Sequence, residues 1–291
     1  MLTAVLVALA LVVAVHLIWL TRYGYPPETA ARVLCFHKLS RRFLFEGTWT
    51  TPGRFAAIVD RLRARGYTFI DETRYLALLH APAADAARCV FLTFDDGYAE
   101  TIDLAQTILA ARGIPFHVFL VTDYAGRENT WDLSLGRPPE RHLSWDRVRE
   151  LAATGVTFGS HTATHADLTR LDAAAMADDL TRSRRALEAA TGSPVRTRSY
   201  PFGRYDARVQ AAARGAGFEA AFSLYPRHQN TRVDRYALRR DAVYIIDPAA
   251  MTERKIERNF FYGLEEMKCR AINAVAVLTP LLKMRGAHPP R

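Results

Sequence analysis

Short apolar runs alternate along this chain with longer stretches in which apolar residues recur every three or four positions. The runs predict buried strands at residues 32–36, 89–94, 116–121, 156–160, 197–200 and 218–223. The longer stretches predict helices at residues 52–65, 101–112, 172–191 and 207–216. Repeated strand–helix units with almost continuously apolar strands indicate an α/β fold, with a parallel sheet covered by helices. That sheet is either a barrel or doubly wound.

An apolar segment precedes these units. The stretch from Leu2 to Leu20 is interrupted by Thr3 and His16, and a helix of this length can cross the hydrocarbon core of a bilayer. No charged region precedes the segment and no small-residue cleavage site closes it. We therefore expect an N-terminal transmembrane helix over residues 1–22 rather than a cleaved signal peptide.

A second appended segment follows the α/β units, which are expected to form one domain over residues 30–250. Residues 251–291 begin with a highly charged stretch and continue into an apolar run, Ala271 to Leu282, flanked by lysine and arginine. The run is too short to span a bilayer comfortably, and Pro280 interrupts it. We expect a C-terminal helical tail that lies on the membrane surface or packs on the domain.

Composition narrows the possible partners. The formal net charge of +9 favours an anionic surface such as lipid headgroups or an acidic glycan, although an arginine-rich composition alone would give the same charge. The chain has no compact basic and aromatic stretch, so we expect no nucleic-acid partner. The three cysteines, Cys35, Cys89 and Cys269, are too far apart for a disulfide framework or a paired-cysteine metal site.

Polar residues stand where several predicted strands end. They are His37, Asp95, Asp96, His161 and the turn 201–203. Carboxyl ends of parallel strands open on one face of the sheet, where α/β active sites are built. These residues, distant in sequence, are therefore expected to converge.

The spacing of two histidines suggests a metal site. His161 and His165 are four residues apart, which on a helical turn puts both imidazoles within reach of one ion. One carboxylate of the Asp95–Asp96 pair can supply a third ligand, and the other can act as a base on a water molecule. Two histidines and one aspartate leave coordination positions open, as in catalytic zinc sites. Without the histidines, the two aspartates would indicate only a polar turn.

Three segments resemble the motifs of the polysaccharide deacetylases, also called the NodB-homology domain or carbohydrate esterase family 4. They are Thr93–Tyr98 (TFDDGY), Ser160–His165 (SHTATH) and Arg198–Gly203 (RSYPFG). The resemblance extends over about residues 32–247. It implies a distorted (β/α) barrel with fewer than the usual eight strands.

The resemblance also implies residue roles. Asp95 would be the general base, and the metal ligands, usually of zinc, would be Asp96, His161 and His165. Arg198 would pair with Asp95 and keep it ionised. Phe202 would offer its backbone N–H to the developing oxyanion.

Two family motifs have no match after Gly203: an Asp followed closely by Trp, and L-x-H. The general acid must then come from elsewhere. His37 fits the position of the acid in the permuted branch that resembles poly-N-acetylglucosamine deacetylases, and residues 230–243 also resemble that branch. His228 is the alternative acid, and a core histidine is the alternative role for His37.

We expect a metal-dependent hydrolase that removes N-acetyl groups from N-acetylhexosamine units of a polysaccharide or lipid-linked glycan. An O-acetyl esterase, an amino-sugar deformylase and a non-catalytic glycan-binding scaffold are the alternatives. The expected partners are the N-acetylated glycan and, through the anchor, a membrane. The resemblance implies a periplasmic or extracellular domain. The basic residues after the anchor favour the cytoplasm instead, so the side of the membrane is left open.

Overall fold

The computed structural model describes residues 11, 13–15, 17–18, 31–44, 47–79, 81, 83–131, 138–224, 233–257 and 262–276. Most of the expected anchor over residues 1–22 lies outside these ranges, as do His228 and the tail beyond residue 276. Within them, no helix combines the length and the apolar character needed to cross a bilayer.

The described residues form ten short strands. In chain order they are β1 (Arg32–Phe36), β2 (Lys38–Leu39), β3 (Trp49–Thr50), β4 (Thr68–Ile70), β5 (Cys89–Phe94), β6 (His117–Leu120), β7 (Thr157–Ser160), β8 (Thr197–Ser199), β9 (Ala220–Leu224) and β10 (Leu238–Ala242). β2 and β3 pair with each other, and the other eight strands belong to one sheet. Every pairing between strands is parallel.

The large sheet closes into a barrel. β1 pairs with β10 on one edge and with β5 on the other, which completes a ring in the order β1-β5-β6-β7-β8-β9-β10. β4 pairs with the first half of β5, along the edge that β6 uses further on. The expected barrel with fewer than eight strands in its ring is confirmed, and the doubly wound alternative is wrong.

Helices surround the barrel. They span Pro52–Ala64, Glu72–Leu78, Ala83–Ala86, Ala99–Ala110, Trp145–Ala153, Ala173–Thr191, Ala207–Gly215, Ala249–Glu257 and Tyr262–Ala276. Their apolar faces cover the outer face of the strands, which buries the largest hydrophobic cluster. Helix Ala249–Glu257 packs on helix Pro52–Ala64, where Glu253 bonds to Arg61 and Arg65. The described part of the tail therefore packs on the barrel.

The amino-terminal end of the barrel is plugged. Tyr75, from the short helix after β4, stacks on Phe91 at 5.0 Å between ring centroids and contacts Phe222 at 5.4 Å. The barrel interior is also tightly packed beside Gly159 of β7. A Cβ on this residue would lie 2.5 Å from Nε2 of His117, so the position has room only for glycine. Access to the interior is therefore from the carboxyl ends of the strands.

Candidate metal and catalytic site

Strained backbone marks the open end of the barrel. Four described non-glycine residues have positive φ: Asp96 (66°), Thr162 (70°), His165 (59°) and Phe202 (59°). Such conformations cost on the order of 1 kcal/mol or more each and persist where the surroundings enforce them. All four lie in the three motifs, so each motif adopts an unusual local backbone conformation.

Three of the predicted side chains converge in a cluster that could hold a metal ion. Oδ1 of Asp96 lies 3.4 Å from Nε2 of His161 and 3.3 Å from Nε2 of His165. This oxygen is buried and accepts no hydrogen bond from the described residues. A buried carboxylate oxygen without a donor is costly, and a divalent cation between the three atoms would satisfy it. The donor set therefore fits a metal that keeps open coordination positions.

Buried hydrogen bonds orient these ligands. His161 is buried, and its Nδ1 donates to the carbonyl of Ser199 at 3.1 Å, which leaves Nε2 as the lone-pair nitrogen facing Asp96. Burial lowers the pKa of His161 to about 4, so the ring is neutral, as a metal ligand must be.

The segment from His161 to His165 is a loop and not the expected helical turn. Asp179, a buried residue of helix Ala173–Thr191, accepts hydrogen bonds from the backbone of Ala163 (2.8 Å) and Thr164 (3.2 Å) and from the Thr164 hydroxyl (2.7 Å). The expected helical turn was wrong, because the Asp179 carboxylate and the positive φ of Thr162 and His165 give this segment the shape of a loop.

Asp95 lies beside the metal cluster in a separate ion pair. Nη1 and Nη2 of Arg240 each donate to one carboxylate oxygen of Asp95 at 2.6 Å, and the Ser199 hydroxyl donates to Oδ2 at 3.3 Å. Burial alone would raise the pKa of Asp95, but the charge and the hydrogen bonds of Arg240 lower it to about 2. The carboxylate is therefore ionised at neutral pH.

The expected pairing of Arg198 with Asp95 is wrong. Successive residues of a strand point to opposite faces, and in β8 the side chain of Ser199 takes the interior position beside Asp95. Arg198 points away from it and lies over the Tyr200 ring, 4.6 Å from the ring centroid. Arg240 of β10, which the sequence analysis missed, occupies the interior position instead.

Two further predicted residues lie at the open end of the barrel. Nε2 of His37 is 3.9 Å from Oδ2 of Asp95, and 16% of its side chain is exposed. Phe202 lies in the turn Pro201–Gly203, with its ring 5.0 Å from that of His165. The structure thus brings His37, Phe202 and the metal cluster together, while the alternative acid His228 lies outside the described residues.

Comparison with known proteins agrees with the motifs. Residues 83–221 match the sequence profile named polysaccharide deacetylase. This part of the chain is therefore a polysaccharide deacetylase domain. YxkH of Bacillus subtilis, a predicted polysaccharide deacetylase, is 24% identical over 186 residues, which span 64% of this chain and 62% of that protein. A chitooligosaccharide deacetylase from a Bradyrhizobium species is 27% identical over 216 residues, 69% of this chain and 89% of the relative.

Two solved structures share the fold. IcaB from Ammonifex degensii superposes with a TM-score of 0.64 at 23% identity, over 79% of this chain and 97% of its own. A polysaccharide deacetylase from Bacillus cereus gives a TM-score of 0.64 at 21% identity, over 78% and 68% of the two chains. At these identities the likeness establishes the family's barrel. The predicted place of the chain in the permuted branch stays a prediction.

Proposed function

We propose that this protein is a metal-dependent N-deacetylase of glycans that contain N-acetylhexosamine. The observation that carries the proposal is the ionised Asp95 carboxylate, fixed by Arg240 beside a three-residue metal cluster. A glycan-binding scaffold has no evident need for a buried base at that position, since keeping a charge out of water is costly.

The metal would be held by Asp96, His161 and His165, and their two nitrogens and one oxygen are typical of zinc. Such an ion, when bound, polarises the acetyl carbonyl and makes water more acidic. Phe202 would direct its backbone N–H to the oxygen that becomes negative as the carbonyl is attacked.

Asp95 and His37 would move the protons of the reaction. Asp95 removes a proton from water as the water oxygen bonds to the acetyl carbon. His37 donates a proton from Nε2 to the sugar nitrogen as the carbon–nitrogen bond breaks, which releases acetate and a free amine. The distance of 3.9 Å between Nε2 of His37 and Oδ2 of Asp95 supports these roles, because an acid and a base that close can act on one reacting group.

An acetate-release assay on N-acetylglucosamine oligomers tests this proposal. The full chain, in detergent, is stripped with a chelator and then given Zn²⁺, with Asp95→Asn treated in parallel. We expect release by the wild-type protein after zinc is restored and none by Asp95→Asn. Release from O-acetylated but not N-acetylated sugars would favour the esterase alternative, and N-formyl substrates test deformylation. Metal binding without turnover on any of these substrates would favour the scaffold.

We further propose that the protein acts at a membrane, on a lipid-linked or nascent glycan. The support is the apolar segment over residues 1–22, the net charge of +9, and two exposed apolar side chains, Phe43 and Ile246, on segments that follow β2 and β10. Alkaline extraction of cell membranes tests the anchor: a protein released into the soluble fraction would contradict it. Protease accessibility in intact cells would show on which side the barrel lies.

A further inference from the structure

A group of aromatic rings stands against the metal cluster. Its members are Tyr98, Tyr124, Trp131 and His142, here called the aromatic cluster. The ring centroids of Tyr98 and His142 are 4.8 Å apart, those of Tyr124 and Trp131 4.6 Å, and those of Trp131 and His142 5.1 Å. Three of the four rings come from one segment, residues 124–142. None has a role in the reaction proposed above.

The aromatic cluster touches one metal ligand directly. The Trp131 ring stacks on the His165 imidazole with a centroid distance of 4.2 Å and an angle of 15° between the planes. His165 is held in a left-handed backbone conformation, and its own backbone N–H donates to the Thr162 hydroxyl at 2.9 Å. Stacking adds a flat surface that fixes the orientation of the ring, and with it the direction of Nε2.

A second contact reaches Asp96 through its backbone. Nδ1 of His142 lies 2.9 Å from the Asp96 carbonyl. A carbonyl only accepts hydrogen bonds, so Nδ1 carries a proton and donates it. His142 is 2% exposed. The bond therefore lies in a dry environment, where it is stronger than in water.

Main-chain hydrogen bonds place His142 across the turn that carries Asp96. The N–H of Ala99 donates to the Arg141 carbonyl at 2.8 Å, and the N–H of Leu143 donates to the Gly97 carbonyl at 2.9 Å. On the other side, a Cβ on Gly97 would lie 2.3 Å from Cδ1 of Leu120, so the turn is packed there without free space. Main-chain hydrogen bonds hold the residues after Asp96, whereas the His142 side chain holds the carbonyl of Asp96 itself.

We propose that His142 and Trp131 are positioning residues of the metal site: His142 holds the left-handed turn of Asp96, and Trp131 orients the imidazole of His165. The proposal rests on the proposed function, because it assumes that the cluster binds a metal. It deepens that function by assigning the aromatic cluster to metal affinity. Outer groups that orient metal ligands typically change affinity or activity by about 10- to 100-fold when lost.

The affinity of the full chain for Zn²⁺, measured by competition with a chromophoric chelator, tests this inference without reference to turnover. His142→Phe keeps the ring and loses the hydrogen bond, whereas His142→Asn offers an amide N–H at about the place of Nδ1. We expect His142→Phe to weaken zinc binding about 10- to 100-fold and His142→Asn to recover most of that loss. The absorption spectrum of bound Co²⁺ reports ligand geometry. It should change in His142→Phe and stay close to that of wild type in His142→Asn.

Trp131 provides an independent pair of variants, and its half-buried position makes misfolding less of a concern. Trp131→Ala should weaken zinc binding, and Trp131→Phe, which can still stack, should bind close to wild type. His117→Phe is the matched control, since His117 is a buried histidine whose two ring nitrogens bond to Thr157 and Thr197, neither of which is a proposed metal ligand. It should leave zinc affinity unchanged.

Two outcomes separate the inference from the function. If wild type binds zinc and releases acetate, but His142→Phe and Trp131→Ala bind zinc as tightly as wild type, the positioning inference is overturned and the proposed function stands. If wild type binds no zinc, the proposed function fails first, and the inference fails with it.

Discussion

Arg240 holds both carboxylate oxygens of Asp95 with two hydrogen bonds of 2.6 Å from one guanidinium. The pair is buried in the barrel interior, where 0% of the arginine side chain and 2% of the aspartate side chain are exposed. Two parallel bonds from a planar group fix the direction of a carboxylate as well as its charge. The candidate base is therefore set in place before any substrate arrives.

The first prediction concerns this pair. Arg240→Lys keeps a positive charge but cannot make two parallel bonds, so Asp95 should lose its alignment and kcat should fall about 100-fold. Arg198→Lys is the matched control: its side chain lies over Tyr200 and away from Asp95, so kcat should stay near wild type. Steady-state acetate release measures both. A larger loss in Arg198→Lys than in Arg240→Lys would contradict the observed pairing.

The second prediction concerns the metal. Because the cluster exists in the folded state, zinc at about 100 times its Kd should stabilise the wild-type protein by about 2.7 kcal/mol. Asp96→Asn removes the negative charge of the ligand at almost constant volume, so the variant should lose this stabilisation by zinc. Thermal unfolding with and without added Zn²⁺ measures the difference. An equal rise of Tm in both proteins would show that zinc binds elsewhere.

The third prediction concerns the candidate acid. His37→Ala should lower kcat about 100- to 10,000-fold, the range usual for loss of a general acid. It should leave zinc affinity unchanged, since the proposed ligands are Asp96, His161 and His165. Acetate release and chelator competition on the same preparation check the two parts. Turnover at the wild-type rate would transfer the role to another group, with His228 tested next.

The fourth prediction concerns Asp179, which accepts three hydrogen bonds from the loop between the metal-binding histidines. Asp179→Ala leaves buried donors unpaired and should destabilise the fold by about 3 kcal/mol. Asp178→Ala is the control, because the carboxylate of this neighbouring residue is 70% exposed and forms a surface ion pair with Arg182, which contributes little to stability. Urea unfolding measures both. Similar losses in the two variants would contradict a specific role for Asp179.

The fifth prediction concerns pH. Burial raises the pKa of Glu72 from 4.5 to about 7, against the opposing hydrogen bond from Thr197 at 2.6 Å. Between those pH values the folded protein keeps a proton that the unfolded chain has lost. The stability that Glu72 contributes is therefore fully present below pH 4.5 and is lost as the pH rises through 7, by about 3 kcal/mol.

Glu72→Gln removes this dependence, since the amide is neutral at every pH and its oxygen can still accept from Thr197. The variant should exceed wild type in free energy of unfolding at pH 8 and match it near pH 4.5. Urea unfolding at both values checks this. A constant difference between the proteins at the two values would contradict the assignment to Glu72.

Local signals were enough for the strands that carry the motifs. β1 and β5 have the predicted bounds, because each is a continuous apolar run buried on both faces. β10 was missed, because its sequence LRRDA has no such run. Its buried charged residues are paired, Arg240 with Asp95 and Asp241 with Arg239, and such pairing offsets the cost of burying their charges.

The amino-acid sequence by itself determined the β/α rhythm, the three motifs and the convergence of Asp95, Asp96, His161 and His165 at one end of the barrel. Each of these depends on residues close together in the chain or on the general rule for parallel strands. Only the tertiary structure decided which arginine meets Asp95, that Asp179 shapes the histidine loop, and that His142 bonds to the Asp96 carbonyl. These contacts join residues 145, 16 and 46 positions apart, and their existence depends on strand register and on which face of a strand or helix each side chain occupies.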